Sequence, residues 1–319
     1  MLLALVLLAA LAAVVAARAA AGVEPGTPPP DDRVAIGVAD QKADMFSDRR
    51  FALLGIRYAR LNVGWDALNR RRQRARIDRW LGAAREQGVE PLISFGHSLT
   101  RRRSLPSPER MSWEFARFRA RYPWVDTFAT WNEANHCGEP TCHRERLVAN
   151  YYRGLRRQCP ECTILAAELL DLPNLTTWVA NFRRSLGYVP RLWGLHNYIE
   201  ANRFTTVRLR RLLRTIGRAR LWLTETGGLV RRRNRSTTDI PEGARHAGEV
   251  TRYIFDRIVP AHPQIRRVYL YHWDVGSRSD RWDSALIAPG GTPRTSYYVL
   301  ARVLERGSRP TADFLSPRR

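Results

Sequence analysis

Eight short apolar runs alternating with eight helix-compatible stretches predict an α/β protein, a (β/α)8 or TIM barrel folded as one domain. Three observations carry that prediction. The alternation fills residues 33–310 of a 319-residue chain, close to the roughly 250 residues such a barrel takes. The apolar runs are short and rich in Val, Ile, Leu and aromatics, as strands covered on both faces should be. The turn after the first run reads Ala39-Asp40-Gln41-Lys42-Ala43-Asp44. A nucleotide-dependent doubly wound sheet, the rival with the same alternation, would carry a Gly-rich phosphate cradle there.

In chain order the expected strands are 34–38, 58–63, 91–95, 127–131, 163–167, 192–196, 221–224 and 268–272. The helical patterns between and after them cover 46–54, 74–87, 108–122, 144–157, 175–185, 206–216, 242–259 and 295–305. Gly88 and Gly187 fall where a left-handed residue ends a helix. Pro106 and Pro108 suit the start of the third helix. The stretch from Arg231 to Pro241 reads as a long, basic, mobile loop.

The N-terminus stands apart from the barrel. Leu2–Ala17 is apolar throughout, but shorter than the roughly 20 residues that span a bilayer. Arg18 and the small residues Ala19-Ala20-Ala21 follow it. Residues 1–21 therefore read as a cleaved export signal, or alternatively an uncleaved anchor. Residues 22–32 form a Pro-rich spacer, and 311–319 a C-terminal tail. Either option places the barrel outside the cytoplasm, secreted or in the cell envelope.

The formal net charge is +23, and Lys42 is the only lysine, so the basic surface is almost entirely arginine. The runs 70–76 and 231–233 read first as solvated helix faces and loops. An anionic envelope polymer, a lipid surface or a nucleic acid is the sharper alternative. Nucleic acid is not expected, because no aromatic residues are interleaved with the runs. The expected form is a monomer. Cys137, Cys142, Cys159 and Cys162 form an even set, which in an exported chain suggests disulfides. The intervening stretch 143–158, about 24 Å long as a helix at 1.5 Å per residue, keeps the two pairs apart, so pairing should be local: Cys137 with Cys142, Cys159 with Cys162. Zinc is the alternative, but no His pair completes either site, and neither metal nor cofactor is expected.

Two segments carry the chemistry: Trp131-Asn132-Glu133-Ala134-Asn135 after the fourth strand, and Trp222-Leu223-Thr224-Glu225-Thr226-Gly227-Gly228 at the end of the seventh. About three of the roughly 30-residue strand–helix units separate them, so both glutamates reach the C-terminal mouth, where barrel active sites form. Paired carboxylates there suit cleavage of a glycosidic bond. No Gly-x-Ser-x-Gly elbow, His-Glu-x-x-His helix or P-loop offers another chemistry.

With these motifs the chain resembles the clan-A retaining glycoside hydrolases, and Trp-Asn-Glu-x-Asn with Thr-Glu-x-Gly is most similar to the family 39 β-xylosidase-like branch. The resemblance implies Glu133 as acid/base and Glu225 as nucleophile. It also implies Arg60 on the second strand and Tyr198 after the sixth as neighbours of the nucleophile. Ala134 departs from the Pro found in many clan members.

Physical chemistry adds requirements. The acid needs its pKa raised by an apolar wall or a neighbouring carboxylate, for which Trp131 and the mouth aromatics are candidates. The nucleophile needs a cation or hydrogen-bond donor. Asn132 can donate to a sugar 2-hydroxyl, Trp273 can floor the sugar ring, and His97, His196 and Trp65 are further lining candidates. The competing roles are ion pairing for Glu133, Glu225 and Arg60, a structural role for Tyr198, packing for Trp273 and Trp65, and internal hydrogen bonding for the histidines. Asp40, Asp171 and Asp274 read as loop caps. The expected function is a secreted retaining O-glycoside hydrolase acting on an oligo- or polysaccharide. A non-catalytic carbohydrate- or envelope-binding barrel and a transglycosylase on the same residues are the alternatives.

Overall fold

Along each strand, side chains alternate between the helix layer and the barrel interior, and this sorts the core into two parts. On the second strand Ala59, Leu61 and Val63 join the large outer cluster, as do Leu221 and Leu223, and Val268 and Leu270, on later strands. Ala39, Leu92, Ala129, Leu165, Trp222 and Tyr269, drawn from six strands, form the small inner cluster. The computed structural model describes residues 34–308 apart from 234–238 and 278. The expected leader, spacer and tail, and part of the expected 231–241 loop, lie outside the described residues.

The strands are β1 Ala35–Ala39, β2 Tyr58–Gly64, β3 Glu90–Gly96, β4 Thr127–Ala129, β5 Thr163–Leu165, β6 Glu168–Leu170, β7 Leu192–His196, β8 Arg220–Thr226 and β10 Ile265–Tyr271. They form one parallel sheet in the order β5-β4-β3-β2-β1-β10-β8-β7-β6. Its two ends, β5 and β6, are halves of one stretch of chain. Ala166 donates to Leu192 O and Gly194 to Ala167 O across the interruption. The nine strands therefore make the eight staves of a (β/α)8 barrel, all at the expected places.

The helices are α1 Arg49–Leu53, α2 Arg71–Glu86, α3 Pro108–Arg121, α4 Glu145–Gln158, α5 Leu175–Leu186, α6 Tyr198–Asn202, α7 Val207–Ile216, α8 Ala244–Tyr253 and α9 Thr295–Ser308. Their buried residues fall at three- and four-residue spacings, such as Ile77, Trp80, Leu81 and Ala84 on α2, which lays one apolar stripe on the sheet. Ser107 caps α3 by accepting from the Arg110 N–H, with Pro108 in the first turn. Gly187 ends α5 at φ 84°. A single π turn, Ile254–Ile258, extends α8.

Two features depart from the expected pattern. The one-turn helix α6 starts directly after β7, held by Asp171, whose carboxylate accepts the N–H groups of Ile199 and Glu200. The 231–241 segment begins as a strand rather than a free loop. β9 (Arg231–Arg232) pairs antiparallel with β11 (Trp282–Asp283), forming a ribbon beside the mouth. Asp283 in turn binds Arg294 at 2.6 and 2.8 Å, which anchors the ribbon to the start of α9. Both disulfides, Cys137–Cys142 and Cys159–Cys162, are local. Among the described residues no helix is long and apolar enough to cross a membrane.

Candidate active site

Alternation on β2 turns Arg60 inward, and it is fully buried. A buried guanidinium is costly unless its charge and donors are met. Here they are: Nε and Nη2 reach the Glu168 carboxylate at 2.7 and 2.6 Å, Nη1 reaches Glu225 Oε1 at 2.5 Å, and Nη2 reaches Asn132 Oδ1 at 2.7 Å. Burial works against the Arg60 charge, but Glu168 and then Glu225 outweigh it and hold its pKa above the ordinary value. Burial likewise pushes the Glu168 carboxyl up, but Arg60 outweighs it and holds the carboxyl below the usual range. Room for Glu168 comes from Gly194 on the neighbouring strand, where a Cβ would sit 2.7 Å from Glu168 Cγ. Glu168 was missed in the sequence. Its signal was one charge inside the apolar run Ile164-Leu165-Ala166-Ala167-Glu168-Leu169-Leu170.

Strict alternation would send Glu225 outward after Leu221 and Leu223. A register shift intervenes: Leu195 pairs with Leu223, but His196 pairs with Glu225. Such bulges re-aim a side chain beside active sites, and Glu225 thereby joins Arg60 in the mouth. Tyr198, in the first position of α6, donates its hydroxyl to Glu225 Oε2 at 3.2 Å. Burial, then the charge of Glu225, raises the Tyr198 pKa, so it remains a donor.

Glu133 is re-aimed differently. It sits just past β4 at φ 47°, a conformation uncommon outside glycine. Its Oε1 meets His196 Nδ1 at 3.2 Å, and Oε2 lies 3.6 Å from His136 Nδ1. One carboxylate oxygen each from Glu133 and Glu225 and one His196 nitrogen all lie within 4.8 Å of one another. Burial would depress the His196 pKa, but Glu225 and the Glu133 hydrogen bond raise it overall. Burial pushes the Glu133 carboxyl up, but the hydrogen bond and charge of His196, with His136 and Arg60, hold it below its ordinary value. The expectation of a raised Glu133 pKa against a Trp131 wall is therefore corrected. Trp131 is fully buried, stacked on Tyr151 and bonded to Glu139, facing away from Glu133. Both shifts favour a proton on His196 rather than on Glu133.

Glu133, Glu225, Tyr198 and Tyr271 open onto a pocket of about 780 Å³ that Trp282, Arg232 and Arg281 also line. Asn132 is buried and outside the residues that line this pocket; its Oδ1 accepts from Arg60, and no described residue bonds its NH2. The floor assigned to Trp273 is corrected. That ring is 1% exposed, packs edge-on against Phe51 and Tyr297 and donates to Asp48 at 3.0 Å, because its position after β10 turns it toward the helices. Trp65 is likewise a packing residue, donating to Ser104 O. His97 pairs with Glu139 at 2.5 Å and does not line this pocket. Sequence reading missed Tyr271 and Trp282, since neither lies in a motif with the glutamates. Asp40 is more than a cap: fully buried, it accepts the Trp273 N–H at 2.9 Å and pairs with Lys42.

Three groups of described residues bring metal-ligating atoms together. Two contain disulfide-bonded cysteines, whose sulfurs are already committed. The third is Glu133, His196 and Glu225, where Arg60 occupies one Glu225 oxygen.

At this mouth one carboxylate is gripped by arginine and tyrosine, and the other is paired with histidine. Solved structures share this fold. A family 39 glycoside hydrolase from the gut symbiont Bacteroides cellulosilyticus WH2 superposes with a TM-score of 0.57 at 14% identity, over 88% of this chain and 65% of that one. This chain thus spans about two thirds of that protein's length. Xylanase 10B from Thermotoga maritima gives 0.62 at 15% identity, over 87% of this chain and 97% of that one. A GH5_18 protein from Streptomyces cattleya, in complex with GlcNAc, gives 0.61 at 15%, over 87% and 81%. No family model and no curated protein matches the sequence.

Proposed function

We propose that the chain is an exported retaining O-glycoside hydrolase acting on an oligo- or polysaccharide. The observation that carries this is the carboxylate pair. Oxygens of Glu133 and Glu225 lie within 4.8 Å across an open pocket, matching the roughly 5–5.5 Å of retaining enzymes rather than the roughly 6.5–9.5 Å that leaves room for an inverting water.

In the proposed cycle the substrate covers Glu133, and removal of water moves the proton shared with His196 onto its carboxyl. Glu133 gives that proton to the glycosidic oxygen as a Glu225 oxygen attacks the anomeric carbon. The carbon–oxygen glycosidic bond breaks, the alcohol leaves, and a glycosyl ester forms on Glu225. Esterification removes the Glu225 charge, so Glu133, having given up its proton, stays ionised and serves as base. It takes a proton from water, whose oxygen attacks the anomeric carbon and releases the Glu225 carboxylate. Arg60 and Tyr198 hold Glu225 in place, and the Asn132 NH2 binds the sugar 2-hydroxyl.

Glu225→Ala should lower kcat by about 10^4-fold or more on whichever aryl β-glycoside or polysaccharide the wild type cleaves. Added azide should restore part of that turnover and leave an azido-sugar. Full activity in Glu225→Ala would sink the assignment.

A further inference from the structure

One run that the proposed chemistry leaves unused is Arg231-Arg232-Arg233, and the structure brings part of it into the pocket. Ribbon pairing sets Arg232 opposite Trp282, and the Arg233 N–H donates to Arg281 O at 2.9 Å. Arg232 and Arg281, 49 positions apart in the numbering, therefore line the same wall of the pocket that holds Glu133 and Glu225. This wall is held in place. Trp282 sits edge-on to Tyr198 at 5.0 Å and donates to Ser284 at 2.9 Å, while Asp283 is locked to Arg294. Arg232 has one acidic neighbour, Glu242, at 3.6 Å, off the pocket wall. Arg281 is exposed, and no described residue pairs with its guanidinium. Apart from the two proposed catalytic acids, the pocket's fixed charges among the described residues are these two cations.

From this we infer that the substrate is an acidic glycan, whose carboxylate or sulfate is held by Arg281 and Arg232 while a sugar ring lies along Trp282 and Tyr271. Guanidinium groups bind such planar or tetrahedral anions through paired, charge-assisted hydrogen bonds. Two of them lining the same pocket as the carboxylate pair select an anionic sugar over its neutral counterpart. The inference rests on the glycosidase reading of the same pocket, and it differs from adhesion through the general basic surface. Arg70, Arg71 and Arg72 are exposed around the start of α2 and do not line the pocket.

The test uses uronate-bearing and sulfate-bearing oligosaccharides, each paired with a neutral counterpart made by carboxyl reduction or desulfation. Affinity is read by calorimetry on Glu133→Gln, and kcat/KM on the wild type. The acidic member of one pair should bind about tenfold more tightly than its neutral partner, the scale of one charge-assisted contact, and which pair does so identifies the anion. Arg281→Gln with Arg232→Gln should remove that preference, whereas Arg72→Gln should retain it. Equal affinity within both pairs, binding of neither pair, or a preference that survives the double substitution would overturn the inference. Hydrolysis of neutral sugars with no acidic preference would overturn it while leaving the glycosidase reading intact. An arginine-dependent acidic preference without turnover of any glycan would support it and defeat that reading instead.

Discussion

Arg60 and Arg267 both point into the barrel, from strands that flank β1 on either side, yet their surroundings have nothing in common. Arg60 lies among Glu168, Glu225 and Asn132. Arg267, near the N-terminal end of β10, has its guanidinium 3.8 Å from the Tyr58 ring centre and 4.1 Å from that of Trp222, and donates to the Tyr269 hydroxyl at 3.1 Å. One arginine organises the Glu168 and Glu225 carboxylates. The other fills the base of the barrel with a cation held by aromatic faces. The lesson is that a buried charge takes its role from what it neutralises. Carboxylates at the mouth make it part of a reactive site, and rings at the base make it a plug.

Replacing each arginine by methionine should break that comparison most clearly. Arg60→Met should lower kcat/KM by about 10^2–10^3-fold, the scale seen when one preorganised donor is lost. It should also cost about 3–5 kcal/mol of stability in denaturant unfolding, because Glu168 is left as an uncompensated buried charge. Adding Glu168→Leu should recover much of the stability and none of the activity. Recovery of activity in the double variant would show that Arg60 acts only as a structural partner of Glu168.

A smaller effect should appear in pH profiles. His196 has a raised folded pKa, so its ionisation contributes stability that is fully present below about pH 6.5 and lost as pH rises through the raised value. The wild-type thermal midpoint should therefore fall from pH 6 toward pH 9 more than that of His196→Gln. The alkaline limb of kcat/KM should move toward acid in the same variant, because the shared proton then rests on a carboxyl group. Unchanged limbs would remove His196 from the proton-sharing cluster.

The smallest effect belongs to Arg267→Met, with an expected loss of about 1–2 kcal/mol, the size of a desolvated cation–π contact, and kcat/KM within about twofold. A large activity loss there would mean that the two ends of the barrel are coupled.

Much of this was legible before folding is considered. Alternating apolar runs located every stave, since strands covered on both faces need continuous apolar sequence. Glu133 and Glu225 stood out because each follows such a run. Lining residues were harder to place. Trp273 follows β10 as plausibly as Tyr271 ends it, and only the path of the backbone after the strand turns one ring to the helices and leaves the other at the mouth. Glu168 was hidden because its partner, Arg60, is 108 residues away. The ribbon escaped notice because two-residue strands carry too little periodicity to detect.

What the sequence determined alone was local: strand and helix positions, the two nearby cysteine pairs, and two glutamates at strand ends. Each follows from short-range pattern and from the geometry of a few consecutive residues. The tertiary structure decided what depends on distant segments meeting: that Glu225 turns inward through a register shift against β7, that Arg60 is neutralised by Glu168, that Glu133 meets His196, and that Arg232 and Arg281 share one wall. Charge and hydrogen bonding act through space, so these assignments exist only once the barrel has brought their partners together.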